Sequence, residues 1–130
     1  MTFSDRVLED IVLRYSAAPV TIAAEHRVVL IRINRQFRDA GTPEALYEAT
    51  RQWWKMDPHR RRPDFAFGVY DGIVRGVYRI DIDAWEQRAI DKRWAFHGVV
   101  DPTMESHYVW KDVSSYLSIG NRNPVRYVHC

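Results

Sequence analysis

The sequence of 130 residues predicts one α+β domain, in which a strongly curved antiparallel sheet closes into a small barrel with flanking helices. The first observation is a strand followed by a helix across residues 28–56. The second is a run of three strands across residues 65–100, and the third is a closing strand at residues 125–128. No internal repeat and no low-complexity linker divides the chain, so residues 1–130 are expected to form a single domain.

The strand and helix between Val28 and Met56 organise this domain. The strand begins as a β-branched run and then alternates, with Ile31 and Ile33 on one face, which is typical of a strand with a buried start. The helix begins with a strong local signature, since Thr42 is a good N-cap and Pro43 suits the first helical position. Its apolar residues follow the helical period as far as Met56.

The segment before this unit predicts an N-terminal helical extension over residues 1–25. Apolar residues between Ser4 and Tyr15 form one stripe, and we expect this helix to pack on the main body or to contact a second subunit. Residues 21–25 are compatible with either a short strand or another helical turn.

The segment after the unit predicts a basic loop and a hairpin. Two prolines bracket three arginines in residues 57–63, which indicates an exposed, stiffened loop. The dipeptide Asp71–Gly72 predicts a tight turn between strands at 65–70 and 73–82. A polar connection follows at 83–93, and another strand at 93–100.

The last third of the chain is predicted to contain a bend or strand, a short helix and the closing strand. The strand or bend begins near His107, and Asp112 is a suitable cap for a short helix that continues to Leu117. Turn-forming residues fill 119–124. The strand at 125–128 is expected to pair inside the sheet.

Composition and charge narrow the class of protein. No apolar run approaches the length of a membrane span, and the single Cys130 cannot form an internal disulfide, so we expect a cytoplasmic protein without membrane contact. The five histidines lack ligand spacing, and no metal or cofactor is expected. The net charge is only +2, but residues 26–62 hold nine Arg or Lys against four Asp or Glu. Most basic residues are arginines, which suit phosphate contacts.

Aromatic residues interleaved with these arginines predict a nucleic-acid site in which one base is held in an aromatic pocket. The expected pocket residues are Asn34, Trp53, Trp54, Tyr70, Asp71 and Trp85. The residues expected to hold the backbone are Arg32, Arg35, Arg38, Lys55, Arg60, Arg61, Arg62, Arg75 and Arg122. Trp94 is a further candidate for stacking a base, but Trp94 and Trp53 also fit core positions, and Asp71 also fits a plain hairpin turn.

The element order resembles the PUA-like superfamily, particularly its YTH, EVE and ASCH branches. The matching features are the strand Leu30–Asn34, the helix that ends at Trp53–Trp54, and the hairpin Phe67–Tyr78. The resemblance implies that Asn34 takes a polar position beside the pocket, that Trp53 or Trp54 forms its first wall, and that Trp85 forms its second. It further implies a reader of a modified base, either in RNA, as in YTH domains, or in DNA, as the SRA relatives read modified cytosine. We favour DNA over RNA, with a base such as 5-methylcytosine.

Two other functions remain open on the sequence. By analogy with ASCH-type domains, the chain could be a hydrolase of modified nucleosides, with Asp71, Asp81 or Asp83 as acid or base. Alternatively, the aromatic surface and the N-terminal helix could form a protein-interaction surface. We favour a reader that is not an enzyme, working with or without a nuclease or another effector, and leave its oligomeric state open.

Overall fold

A computed structural model describes residues 16–34, 41–117, 120 and 122–130, and confirms the α+β class. The predicted helix between Ser4 and Tyr15, and with it most of the N-terminal extension, lies outside the described residues. The main sheet contains β1 (Val28–Arg32), β2 (Phe65–Tyr70), β3 (Ile73–Ile80), β6 (Gly98–Val100) and β7 (Val125–Val128). A small second sheet pairs β4 (Glu86–Gln87) with β5 (Trp94–Ala95). The helices are α1 (Pro43–Arg51), α2 (Pro58–Arg61) and α3 (Pro102–Tyr108), with a 3₁₀ turn at Ser114–Tyr116.

The main sheet is mixed, so the expectation of a purely antiparallel sheet is wrong. Its described strands follow the order β6-β3-β2-β1-β7, and β1 runs parallel to β2 while the other pairs are antiparallel. The connection between β1 and β2 is long and contains α1 and α2. Such a crossover allows two neighbouring strands to run parallel, which a tight turn does not. Among the described strands, β6 and β7 form the two edges of the sheet, so closure into a barrel is not confirmed. The last strand, β7, was expected inside the sheet but lies at one of these edges.

The hairpin between β2 and β3 confirms the turn predicted at Asp71–Gly72. Both turn residues have positive φ, 55° for Asp71 and 79° for Gly72, as a tight hairpin turn requires. The pairing is regular up to Gly68 opposite Gly76 and then shifts, so that Arg75 is an extra residue in β3. Such a bulge bends the strand and changes the direction of the extra side chain.

Apolar residues cover both faces of the main sheet. On one face Leu30, Phe67 and Tyr108 belong to a core under α3, and on the other Ile31 and Phe96 belong to a core under α1. The alternation along β1 therefore serves two cores, which explains why its first four residues are all buried.

Four local predictions need correction. The helix α1 ends at Arg51 rather than at Met56, and the predicted basic loop contains the short helix α2.

The strand predicted at 93–100 is broken, because Trp94–Ala95 pairs with β4 whereas Gly98–Val100 pairs with β3. Between them Phe96 is fully buried, and the chain changes sheet there. Where a strand or bend was predicted to begin at His107, the chain is helical up to Tyr108, the last residue of α3, and then forms a turn at residues 109–110.

Asp101 stabilises the start of α3 and links it to β3. Its Oδ1 accepts hydrogen bonds from the backbone N–H groups of Thr103 and Met104, both at 3.1 Å, and its Oδ2 accepts from Nη2 of Arg79 at 2.5 Å. The N–H of Met104 and the Arg79 guanidinium lower the pKa of Asp101 below its ordinary value of 3.8. The stabilisation from this carboxylate is therefore fully present above that value and is lost as the pH falls through the lower folded-state pKa.

We expect Asp101→Asn to lower the melting temperature at pH 7 and to have a smaller effect at pH 3. The asparagine keeps a capping oxygen but lacks the charge that Arg79 contacts. Thermal unfolding followed by circular dichroism at both pH values measures the difference, with Glu25→Gln as an exposed control. A difference that stays the same at the two pH values would contradict this assignment.

Candidate functional site

The structure does not bring the residues predicted for the site together, and it places two groups of them at opposite ends of the main sheet. Because β1 and β2 are parallel, with Val28 opposite Phe65 and Arg32 opposite Val69, their amino ends share one end of the sheet and their carboxyl ends the other. A strand of this length separates the two ends by about 13 Å. The six predicted pocket residues therefore do not line one pocket.

One group lies at the carboxyl ends of β1 and β2. It contains Arg32, Asn34, Tyr70, Asp71, Arg75 and Arg122. Arg122 belongs to this group because it comes two residues before Pro124, whose carbonyl accepts a hydrogen bond from the N–H of Arg32. The guanidinium of Arg75 lies 5.3 Å from the ring centre of Tyr70 and 5.0 Å from that of Trp110. Trp110, which is 51% exposed, was not predicted as a site residue.

The second group surrounds a cleft at the opposite end of the sheet, which we call the amino-end cleft. It has a volume of about 720 Å³, within the range of ligand pockets. Two of its residues, Arg62 and Trp85, were predicted for the site. The others are Arg27, Pro58, His59, Pro63, Asp64, Ile82 and Asp83. Asp83 was predicted only as a catalytic alternative, and Arg27, His59 and Asp64 carried no sequence signal that set them apart.

The indole of Trp85 is held in the cleft wall by other aromatic rings. Its ring centre lies 6.5 Å from that of Trp94 and 6.2 Å from that of Phe96, both with edge-to-face geometry. The imidazole of His59 contacts Trp94 from the α2 side at 5.1 Å. These contacts fix the orientation of the half-buried Trp85, so one part of the indole packs on the core while another lines the cleft.

The basic side of the cleft is built around the end of α2. Arg62 follows the helix in the left-handed conformation, and its Nε donates to the carbonyl of His59 at 3.2 Å. Arg27 donates to the carbonyls of Arg61 and Arg62 at 2.6 and 3.1 Å, which satisfies acceptors at the helix end. Arg61 instead contacts the ring of Tyr127 and the carbonyl of Cys130. Arg62 therefore presents positive charge at the cleft, and Arg60 is exposed in α2, two residues before it.

Two carboxylates give the cleft hydrogen-bond acceptors. Asp64 is half-buried between α2 and β2, and Asp83 is exposed after β3. The backbone N–H of Asp83 is bonded to Oδ1 of Asp81, which fixes the turn that carries it. Carboxylates accept hydrogen bonds from the exocyclic amino groups of cytosine and adenine. The cleft therefore combines a stacking surface, acceptors and positive charge.

The two tryptophans after α1 do not line the amino-end cleft. Trp54 exchanges backbone hydrogen bonds with Trp94, and its Nε1 donates to the carbonyl of Thr50 at 2.9 Å. Trp53 lies against the guanidinium of Arg88 at 5.1 Å. Both are half-buried, as is Trp94. Of the other predicted backbone contacts, Lys55 is exposed, and Arg35 and Arg38 lie outside the described residues.

Within the described part of the chain, no helix has both the length and the apolar character needed to cross a membrane. The same residues contain no group of three or more His, Cys, Asp or Glu side chains placed to hold a metal ion. Comparisons with protein-family models, with curated proteins and with solved structures returned no match.

Proposed function

We propose that the chain is a nucleic-acid-binding module of PUA-like type that holds one base, stacked on Trp85, in the amino-end cleft. The observation that supports this proposal is the placement of an oriented indole, Asp64, Asp83 and Arg62 around a single cleft of about 720 Å³. The kinship with PUA-like barrels is part of the proposal and rests on the order of elements between residues 28 and 100.

Each part of the cleft has a role in this proposal. Stacking on an indole contributes about 1–3 kcal/mol per base. The carboxylates of Asp64 and Asp83 accept hydrogen bonds from the amino group on the edge of the base, while Arg60 and Arg62 contact the phosphates. A methyl group on the base adds only about 0.8 kcal/mol when it is buried, so we expect a modest preference for 5-methylcytosine. DNA is preferred to RNA in this proposal because of the resemblance to the SRA relatives.

The test is to measure oligonucleotide binding by Trp85→Ala. We expect the affinity to fall about 5- to 150-fold, because the base has no indole to stack on in the variant. Fluorescence anisotropy with single- and double-stranded DNA and RNA, with and without 5-methylcytosine, measures the change. Trp110→Ala is the matched control, since it removes an indole that is 51% exposed at the opposite end of the sheet.

The same titrations at two salt concentrations test the phosphate-binding role of the arginines. Arg60→Gln with Arg62→Gln should reduce the slope of log affinity against log salt by about one unit for each phosphate that the variant no longer neutralises. Arg126→Gln, on an exposed position of β7, is the control. Equal decreases in affinity for Trp85→Ala and Trp110→Ala would reject the amino-end cleft, and wild-type protein that binds no oligonucleotide would reject the proposal as a whole.

A second candidate function shares this cleft. Asp83 is one of the three aspartates predicted as alternatives for nucleoside hydrolysis, and it lines the amino-end cleft, whereas Asp71 lies at the other end of the sheet. Incubation with a panel of modified nucleosides separates the two functions. Release of free base that Asp83→Asn abolishes would favour the hydrolase over the reader.

A further inference from the structure

A second cleft lies along the outer edge of β6, and we call it the edge groove. It has a volume of about 270 Å³, with the first turns of α1 on one side and α3 on the other. Among the described strands β6 pairs only with β3, so its outer edge faces this groove. Gly98 and Val100 of β6 both line it.

Hydrogen bonds show which backbone groups of β6 face the groove. His97 accepts from the N–H of Asp81 in the segment after β3, whereas the N–H of Gly98 donates to Oη of Tyr47 in α1 at 3.0 Å. Backbone groups alternate in direction along a strand, so Val100 faces the same way as Gly98. The carbonyl of Gly98 and the backbone groups of Val100 therefore face the groove, whereas the N–H of Gly98 is already bonded to Tyr47.

The walls of the groove carry negative charge, and its rim is apolar. Glu44 of α1 and Glu105 of α3 line it from opposite sides. The side chains of Val99 and Val100 beside it are 66% and 50% exposed. The positive Arg75 also lines the groove, and its guanidinium lies over the rings of Tyr70 and Trp110. The two carboxylates outnumber this one guanidinium, so the groove carries a net negative charge.

We infer that the edge groove docks an extended, basic segment of a protein partner, which adds a strand to β6. Backbone hydrogen bonds to the carbonyl of Gly98 and to the N–H and carbonyl of Val100 supply the register, because the N–H of Gly98 already donates to Tyr47. A Lys or Arg side chain of the segment lies between Glu44 and Glu105. A polyanion is disfavoured here, because two carboxylates face a single arginine in the groove, whereas the amino-end cleft has two arginines for its two carboxylates. This inference is independent of base binding in the amino-end cleft.

The test uses an acetylated and amidated peptide of alternating valine and lysine, titrated into ¹⁵N-labelled full-length protein. We expect saturable shifts of the amide signals of Gly98, Val99 and Val100 and of the first turn of α1. The double variant Glu44→Gln with Glu105→Gln should weaken binding about tenfold, since rim ion pairs are individually weak. Glu25→Gln, an exposed carboxylate elsewhere, should leave binding unchanged.

Two peptide controls separate strand addition from simple charge attraction. A peptide with N-methyl groups on alternate residues, which removes backbone donors, should bind at least about tenfold more weakly, because strand addition depends on main-chain hydrogen bonds. A valine–glutamate peptide should give no shifts in the groove. Equal binding of the methylated peptide, shifts centred elsewhere, or the same shifts produced by an oligonucleotide would each overturn the inference.

Discussion

Replacing Phe67 with alanine is expected to lower the free energy of unfolding by about 3–5 kcal/mol. Phe67 is fully buried in β2, and its ring centre lies 5.0 Å from that of Tyr108 in α3. Its neighbours across the sheet are Leu30 on one side and Val77 on the other, so the ring sits between two strands and a helix. Alanine would leave a cavity that this many rigid neighbours cannot fill.

Urea unfolding followed by tryptophan fluorescence and by circular dichroism measures this change. Val99→Ala removes apolar atoms from a strand residue that is 66% exposed, and it should change stability by less than about 0.5 kcal/mol. A decrease below about 1 kcal/mol for Phe67→Ala would show that the core under α3 is not packed around this ring.

The second large effect is expected at Arg51, the last residue of α1. It is only 8% exposed, and its Nε donates to the carbonyl of Phe96 at 3.0 Å. Its remaining nitrogens contact Glu48, Gln52 and Glu86. Arg51→Ala should lower the free energy of unfolding by roughly 2–4 kcal/mol, because the Phe96 carbonyl is left without this donor and the packed stem is removed.

A second substitution separates the stem of Arg51 from its guanidinium. Arg51→Met keeps most of the apolar stem, so it should lower the free energy of unfolding by only about 1–3 kcal/mol, the part that comes from the missing hydrogen bonds. The same urea experiment applies, with Arg126→Ala as the exposed control on β7. If the methionine variant matched wild type, the hydrogen bonds to Phe96 and Glu86 would contribute nothing to stability.

Features that depend on neighbouring residues could be predicted from the sequence. Thr42 caps α1 as expected, with its Oγ1 accepting from the N–H of Ala45 at 3.1 Å. The turn at Asp71–Gly72 needs only two residues that tolerate positive φ. Asp112 accepts from the N–H of Ser114 at 2.7 Å just before the predicted short helix, which is a 3₁₀ turn in the structure.

Features that depend on distant pairing could not be predicted in this way. Nothing local to β1 indicates that it runs parallel to β2, yet this pairing places Asn34 near Tyr70 and far from Trp85. The sequence also does not indicate that the chain passes from one sheet to the other at Phe96, because the residues on both sides of Phe96 have β-propensity. The composition could therefore identify Trp85 and Arg62, but not the other residues that share their cleft.

The neighbours of β1 also determine how the chain reaches this fold. Val28 pairs with Phe65 on one side and with Val128 on the other, so the most buried strand finds both partners far along the sequence. Closing such long loops slows folding relative to a fold made of local contacts. We therefore expect the β2–β3 hairpin to form early during refolding, and β1 to be inserted only after the last strand of the chain is available.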